Sequence, residues 1–337
     1  MGVDSYGVLE RGEQFMWSAS SMMVAAIGIA FTATQAQAQT WPLKPVRAVV
    51  PVAAGSSTDI IPRLVFEQLS QQLGQPVVVE NRVGAGATIG AAFVAKSDPD
   101  GYTILASGSA HTIAPSLYPK LSYDPGRDFA GIIPLGVSPN VLVVSPTKGF
   151  KTVADLVAAG RAKPGALTFS SVGVGTATHL SAERFRISAG VDALHVPFKG
   201  GAEAVSEVIA GRVDFFFGPP SLVAPHVLDG KLVALVVNST SRSAVLPDVP
   251  TTREAGFTDA EYPIWYGLFA PSKTPRDIVD RLYQETAKAL QAPKVRERMT
   301  ALGVDPMVLT PREFDEYVQR EIALNAMLVQ KAGIKPH

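Results

Sequence analysis

Two stretches of this chain gather small residues, hydroxyls and glycine where an apolar run gives way to helical spacing. The first is Pro51-Val52-Ala53-Ala54-Gly55-Ser56-Ser57-Thr58-Asp59. The second is Ser170-Ser171-Val172-Gly173-Val174-Gly175-Thr176-Ala177-Thr178-His179-Leu180. Neither contains Lys or Arg. A loop of this composition between a strand and a helix turns backbone N–H groups outward at the helix N-terminus. Those groups attract a carboxylate or a phosphate with no cationic side chain present. In open α/β sheets ligands bind at the carboxyl ends of strands, where both loops would lie. Ser, Thr and Asp in the first loop are also expected to cap its helix. One loop of this kind falls in each half of the chain, so the pair could face one another across a cleft.

Other chemistry is sparse. Gly84-Ala85-Gly86-Ala87-Thr88-Ile89-Gly90 has the look of a dinucleotide loop. It does not follow the first strand, and the next strand ends Leu105-Ala106-Ser107-Gly108 without the acid a ribose needs. Those glycines are read as close packing of a helix on the sheet, and no nucleotide is expected. There is no Gly-x-Ser-x-Gly elbow. Of the five histidines, His111, His179, His195, His226 and His337, none is read as pairing with another His or with an acid at metal-ligand spacing. No metal and no cofactor is expected. His195 falls in an apolar strand and reads as structural, whereas His179, at a helix start, is the histidine placed to approach a ligand. Lys199, before Gly200-Gly201, fits a cleft cation or a solvated lysine equally well. Phe215-Phe216-Phe217 reads as core, and Gly218-Pro219-Pro220 after it as cleft wall at a strand end. An enzyme here would have to combine His179 with a serine or with Asp59. No nucleophile–base pair is recognisable in the sequence, so binding without catalysis is expected.

The elements that must carry these loops alternate in type. Residues 46–50 are β-branched between prolines, and 57–73 have helical spacing up to Gly74. An apolar run at 77–80, a helix over 85–95, a turn at Asp98-Pro99-Asp100-Gly101 and a strand over 102–106 follow. The pattern then repeats: strand 140–145, helix 153–162, strand 167–171, helix 178–189, strand 194–196, helix 202–210, strands 213–217 and 232–237. A strand at 264–270 precedes helices 275–290, 293–302 and 311–332, with Thr274-Pro275 and Thr310-Pro311 as helix starts. Continuous apolar runs between helices indicate buried parallel strands and an α/β fold. The expected organisation is two lobes, residues 39–140 with 264–337 and residues 141–263, each a mostly parallel sheet flanked by helices, with the cleft between them.

Composition agrees with a globular binder. The chain has 337 residues, no cysteine, 18% charged and 47% apolar residues, and 30 basic against 30 acidic groups. That length suits about two domains. Absence of cysteine excludes disulfides, thiolate metal sites and a Cys nucleophile. A neutral balance provides no basic field for nucleic acid. Residues 22–31 form a short apolar run followed by Ala36-Gln37-Ala38, the pattern of a secretory signal cut after Ala38. Arg11 is the only cation before that run, with Asp4, Glu10 and Glu13 nearby, so translation is expected to start at Met16 or Met22. The alternative is a buried apolar N-terminal helix. Cleavage removes 38 residues and leaves a mature chain of 299 with a net charge of +2. No later window is long and apolar enough to span a bilayer.

Taken together these segments resemble the substrate-binding proteins of tripartite tricarboxylate transporters, the Bug receptor family. The likeness runs from about Trp41 to Lys335. It is carried by Pro51 to Asp59, Val77-Val78-Val79-Glu80-Asn81-Arg82, Pro99-Asp100-Gly101-Tyr102-Thr103, Gly173 to Leu180, His195-Val196-Pro197-Phe198-Lys199-Gly200, Gly230-Lys231-Leu232, Leu246-Pro247-Asp248-Val249-Pro250-Thr251 and Ala332-Gly333-Ile334-Lys335. The resemblance implies a two-lobed periplasmic binding-protein fold of type II character, closing by hinge motion on a small anion. It implies a periplasmic monomer that delivers an organic acid to integral membrane subunits; a sensor reporting the ligand to a signalling partner would use the same cleft. Carried over, the ligand contacts are Val52, Ala53, Gly55, Ser56, Thr58 and Asp59 in the first loop. Gly173, Gly175, Thr176, Thr178 and His179 follow in the second, with Ser107, Phe198 and Gly218 at other strand ends. Water bridges can serve there almost as well as direct bonds.

The sequence departs from the family pattern at several of these places. Relatives usually carry Phe at Val52, Gly at Ser56, Ala at Pro62, Gly at Ser170 and Tyr at Phe198. Val52 removes an aromatic wall, Ser56 adds a hydroxyl and Phe198 deletes a phenol. Some relatives place an acid around Gly218, and Gly218-Pro219-Pro220 offers none. A cleft without that acceptor favours a dicarboxylate or an aromatic acid over an amino acid.

Overall fold

Val46–Val50 (β1) is buried at four of its five positions, which requires a sheet covered on both faces. It pairs in parallel with β2 (Val77–Asn81) and β3 (Thr103–Gly108). β3 pairs antiparallel with β10 (Ile264–Pro271), and β10 antiparallel with β4 (Phe129–Ser138). The first sheet therefore runs β2-β1-β3-β10-β4. The second is built from β5 (Val141–Val144), β6 (Leu167–Ser171), β7 (Ala193–Pro197), β8 (Phe215–Gly218) and β9 (Val233–Val237), in the order β7-β6-β8-β5-β9. The two orders superimpose when β1, β2, β3 and β4 are matched with β6, β7, β8 and β9, and β10 with β5. In each sheet four strands share one direction and one is reversed. The reversed strand is the one by which the chain arrives from the other sheet. The parallel bias expected from the apolar runs holds for strand direction, while half of the ladders are antiparallel.

The computed structural model describes residues 1–3 and 41–336, so the expected signal segment and its cleavage after Ala38 lie outside the described residues. Residues Lys44–His337 form one compact unit. Helices α1 (Ser57–Leu73), α2 (Thr88–Ala95) and α3 (Ser109–Leu117) follow β1, β2 and β3. α4 (Val153–Ala162) follows β5, and α5 (Ala177–Ala189), α6 (Gly201–Ile209) and α7 (Pro220–Leu228) follow β6, β7 and β8. α8 (Arg276–Gln291), α9 (Pro293–Ala301) and α10 (Pro311–Lys331) complete the chain. The helix ends have local causes. α1 stops at Gly74, whose φ of 68° is left-handed. α4 and α10 open with reciprocal capping boxes, Thr152 with Asp155 and Thr310 with Glu313, and Pro311 takes the first helical position of α10.

Both faces of the second sheet are filled. Phe169, Phe215 and Phe217 pack with Leu156 and Phe185 on one side, and Phe216 with Val205, Val208 and Val223 on the other. In the first sheet Val49, Leu105, Trp265 and Phe269 pack with Ala91 and Val94 of α2 and Phe314 and Val318 of α10. The sequence pattern passes over α3, β4 and α7. β4 carries Gly131, Pro134 and Gly136, which interrupt a strand signature. It is tolerated because β4 is an edge, where proline can face away from the ladder, and the register shifts beside Pro134. Asp305 covers that edge, exchanging backbone bonds with Val137 at 2.9 and 2.7 Å.

The two connections between the sheets meet at one buried node. Asn238 N–H donates to the Asn140 carbonyl at 2.9 Å, and Asn140 N–H to Asn238 Oδ1 at 2.7 Å. Both side-chain amides donate to the Tyr262 carbonyl, at 3.3 and 3.1 Å.

Candidate functional site

The first loop leaves β1 at its carboxyl end and opens α1. Gly55 has φ +84°, and its N–H donates to Asp59 Oδ2 at 2.9 Å. Ser56 holds the N-cap position, with its N–H directed to the Ala53 carbonyl at 3.4 Å and its hydroxyl to the same oxygen at 2.9 Å. The expected side-chain cap is thus absent, because the hydroxyl donates backwards instead of accepting from the helix. Asp59 is 2% exposed. Its Oδ1 accepts from Asn81 Nδ2 at 2.9 Å and Arg63 Nε at 2.9 Å. Burial works against ionisation of this carboxyl, but the bonds from Asn81, Gly55 and Arg63 outweigh it and hold the group below the ordinary aspartate range.

The second loop repeats the first residue for residue, 120 positions on. Gly175 has φ +70°, and its N–H donates to His179 Nδ1 at 2.9 Å. Thr176 is the N-cap; its N–H faces the Gly173 carbonyl at 3.3 Å and its hydroxyl donates there at 2.8 Å. In each loop a left-handed glycine is therefore locked by a side chain four residues later. The first four amides of a helix lack intrahelical acceptors. The locks account for Gly55 and Gly175, and short turns for Ser56, Asp59, Thr176 and His179. The amides of Ser57 and Thr58, and of Ala177 and Thr178, are what each loop leaves to a ligand or to water. Each loop carries a fixed partial positive charge and has no Lys or Arg of its own.

Several sequence-selected residues therefore brace the loops from behind. Asp59 and His179 are buried and bound to their own glycines. Thr178 Oγ1 accepts the Val172 N–H at 3.1 Å. Phe198 N–H donates to the Ser171 carbonyl at 2.9 Å, which ties the end of β7 to the second loop. Val52, half-buried, gives its carbonyl to Asn81 Nδ2 at 3.0 Å. Ser107 is buried at the end of β3. Gly218 turns its missing side chain to the core, where an added Cβ would stand 2.2 Å from Phe216 Cε1, so only its backbone can face a ligand. Ala53 and Gly55 are exposed, and Ser56, Thr58, Gly173 and Thr176 half-buried. The second loop is seated on α3: a Cβ at Gly175 would lie 1.8 Å from Leu117 Cδ1.

Sequence reasoning missed the residues beneath the loops. Asn81 joins Asp59, the Val52 carbonyl and Arg63, the last at 2.8 Å. Under the second loop, His179 and His195 stack with ring centroids 3.7 Å apart and planes 10° from parallel. Glu183 Oε1 stands 3.7 Å from His179 Nε2, one helical turn on, a pairing passed over in the search for metal patterns. Ser171 Oγ lies 2.6 Å from His195 Nε2, the separation of a nucleophile and its base. It is fully buried and also bonded to Gly173 N–H and the Gly173 carbonyl at 3.1 and 3.0 Å, so no substrate reaches it. Among the described residues no group of three His, Asp or Glu is placed to hold a metal, and no helix is long and apolar enough to cross a membrane. A hollow of about 380 Å³ lined by Pro115, Tyr118, Tyr123, Arg127 and Gln319 includes none of the loop residues.

The chain and its fold are similar to known proteins. The sequence profile of the tripartite tricarboxylate transporter family receptors, TctC, matches residues 61–334. The chain belongs to this family. Among solved TctC-like structures, a Rhodopseudomonas palustris protein with adipate has 32% identity and a TM-score of 0.81, covering 88% of this chain and 100% of its own. MatC of R. palustris with bound malate has 33% identity and a TM-score of 0.77, covering 86% and 100%. The periplasmic binding protein BugD has 34% identity and a TM-score of 0.77, covering 88% and 100%. The fold expected from the Bug resemblance is the fold found.

Proposed function

We propose that this TctC-family protein is a periplasmic receptor that captures a small dicarboxylate and passes it to integral membrane transporter subunits. The matched loops carry this reading: two helix N-termini, each with two uncommitted amides, and no Lys or Arg within either loop. Each loop suits one carboxylate, held directly or through water. The loops belong to two lobes, residues 39–140 with 264–337 and residues 141–263, and the Asn140–Asn238–Tyr262 node lies where closure would pivot. Adipate and malate, seen in two relatives, are both dicarboxylates without an amine. An amine finds no free carboxylate in either loop, because Asp59, the one acid there, is buried and already bonded three times. No catalysis is assigned, since the Ser171–His195 pair is sealed.

The test is a thermal-shift series on the mature chain from Gln39 with adipate, malate, benzoate and glutamate. A ligand at one hundred times its dissociation constant adds about 2.7 kcal/mol, enough to raise the midpoint by several degrees. A rise with adipate or malate and none with glutamate is expected. No rise with either dicarboxylate, on protein shown by mass spectrometry to carry no co-purified acid, overturns the proposal.

A further inference from the structure

The two loops are locked by the same geometry but by different chemistry, a carboxylate in one and an imidazole in the other. His179 Nδ1 can accept the Gly175 N–H only while the ring is neutral with its proton on Nε2. Gly175 is itself buried, so its amide has no water to turn to. The groups facing the ring come from three directions. From α5, Glu183 Oε1 stands 3.7 Å from Nε2, and Arg186, 2.8 Å from the same carboxylate, balances it. Asp192 in turn stands 3.6 Å from Arg186. From β7, His195 lies in parallel contact, and from β6, Phe169 closes the stack 5.0 Å from His195. α3 meets the loop through the apolar Leu117.

We propose that His179 is the positioning residue of the second loop and makes ligand capture proton-sensitive. This rests on the reading of that loop as a ligand contact. When His179 takes a second proton, Nδ1 becomes a donor aimed at another donor. The Gly175 amide is orphaned, and the amides of Ala177 and Thr178 lose their placement. Two stacked imidazoles this close do not both carry charge. Burial and the neighbouring His179 push His195 down to about 4, so His195 stays neutral and leaves the Glu183 carboxylate to face His179. The first loop does not share the response, because Asp59 is held ionised by its bonds. The departure at this site is from symmetry within the molecule.

The experiment measures affinity for adipate and for malate by calorimetry from pH 8 to pH 5, in the wild type and in His179→Asn. The asparagine Oδ1 takes the place of Nδ1 as acceptor and does not titrate. In the wild type, affinity is expected to fall by up to about tenfold per pH unit once His179 protonates. His179→Asn should lack that fall, whatever its affinity at pH 8; titration of the acids themselves is common to both proteins. In parallel, the exchange protection of the Gly175 amide in ligand-free protein should decline on acidification in the wild type and persist in His179→Asn. Parallel pH profiles for the two proteins, or a wild-type Gly175 amide protected down to pH 5, overturns the proposal. If neither acid binds at pH 8 the receptor reading fails, and the amide-exchange comparison still decides the role of His179.

Discussion

Gly55 and Gly175 occupy equivalent places, yet alanine should harm them unequally, and the difference measures how the second loop is seated. Both residues have left-handed backbone, which costs an L-residue about 1–2 kcal/mol. At Gly55 nothing lies within 4 Å of an added Cβ, so Gly55→Ala should cost that strain alone. At Gly175 the methyl would stand 1.8 Å from Leu117 Cδ1 and 3.2 Å from its Cγ. Leu117 is 2% exposed and packed with Ile113, Leu180, Tyr262 and Leu328, so it cannot swing clear. Overpacking of this kind adds about 1–3 kcal/mol. Leu117→Ala alone opens a cavity and costs about 2–5 kcal/mol. In Gly175→Ala with Leu117→Ala the new methyl enters that cavity, so the double mutant should recover about 1–3 kcal/mol relative to the sum. The assay is urea unfolding of the four proteins of the cycle, with Gly55→Ala, Leu117→Ala and their double as the control cycle. The control should be additive within about 0.5 kcal/mol, as for sites without contact. A Gly175–Leu117 coupling no larger than the control, or equal costs for the two glycine substitutions, would refute the seating of this loop on α3.

Two other outcomes follow from the buried polar groups. His111 is 2% exposed among Tyr123, Phe129 and Phe269, and neither ring nitrogen makes a well-formed hydrogen bond; burial drives its pKa down from 6.5 to about 4, only partly opposed by the Pro125 carbonyl. The unfolded chain therefore binds a proton that the folded chain refuses, so this stability is complete above the unfolded value and lost as pH falls toward the folded one. Between about pH 7 and pH 5 the loss is about 2 kcal/mol. His111→Phe should flatten the melting-temperature profile over that range by several degrees, and a profile parallel to the wild type would show that His111 is not the group that titrates. Asp59→Ala removes the acceptor of the Gly55 amide and one of the two acceptors of Asn81 Nδ2, which keeps the Val52 carbonyl; it should cost about 1–3 kcal/mol and weaken adipate binding. Unchanged stability in thermal unfolding, together with unchanged affinity, would remove Asp59 from its role as the first lock.

Much of the architecture was legible because its signals are local. α1 was read to its observed ends because Gly74 closes it, and α4 was read to its observed ends from its helical spacing, with Thr152 and Asp155 opening it in the structure. β4 was invisible because glycine and proline interrupt it, and only its place at a sheet edge makes them tolerable. The reversal of β5 and β10 was equally hidden. A run such as Val141–Val144, buried on both faces, has the same appearance in either direction. At the site, both loops could be found from composition, and the expectation of an anion held without a cation rests on that composition. The side of the loop on which each residue lies did not. Asp59 and His179 were taken for ligand contacts, whereas the structure turns them inward to hold glycines.

By itself the sequence determined most of the element types, the two loops, the absence of cysteine chemistry and the family to which the chain belongs. Periodicity, caps and turns depend on neighbours within a few positions, and they survive without knowledge of the fold. Tertiary structure alone decided what stands behind each loop. Asn81 lies 22 residues from Asp59, and His195 lies 24 from Ser171. Such partners meet only because β2 lies beside β1 and β7 beside β6. Burial, tautomer and charge state are properties of that adjacency, since an imidazole is an acceptor or a cation according to what surrounds it.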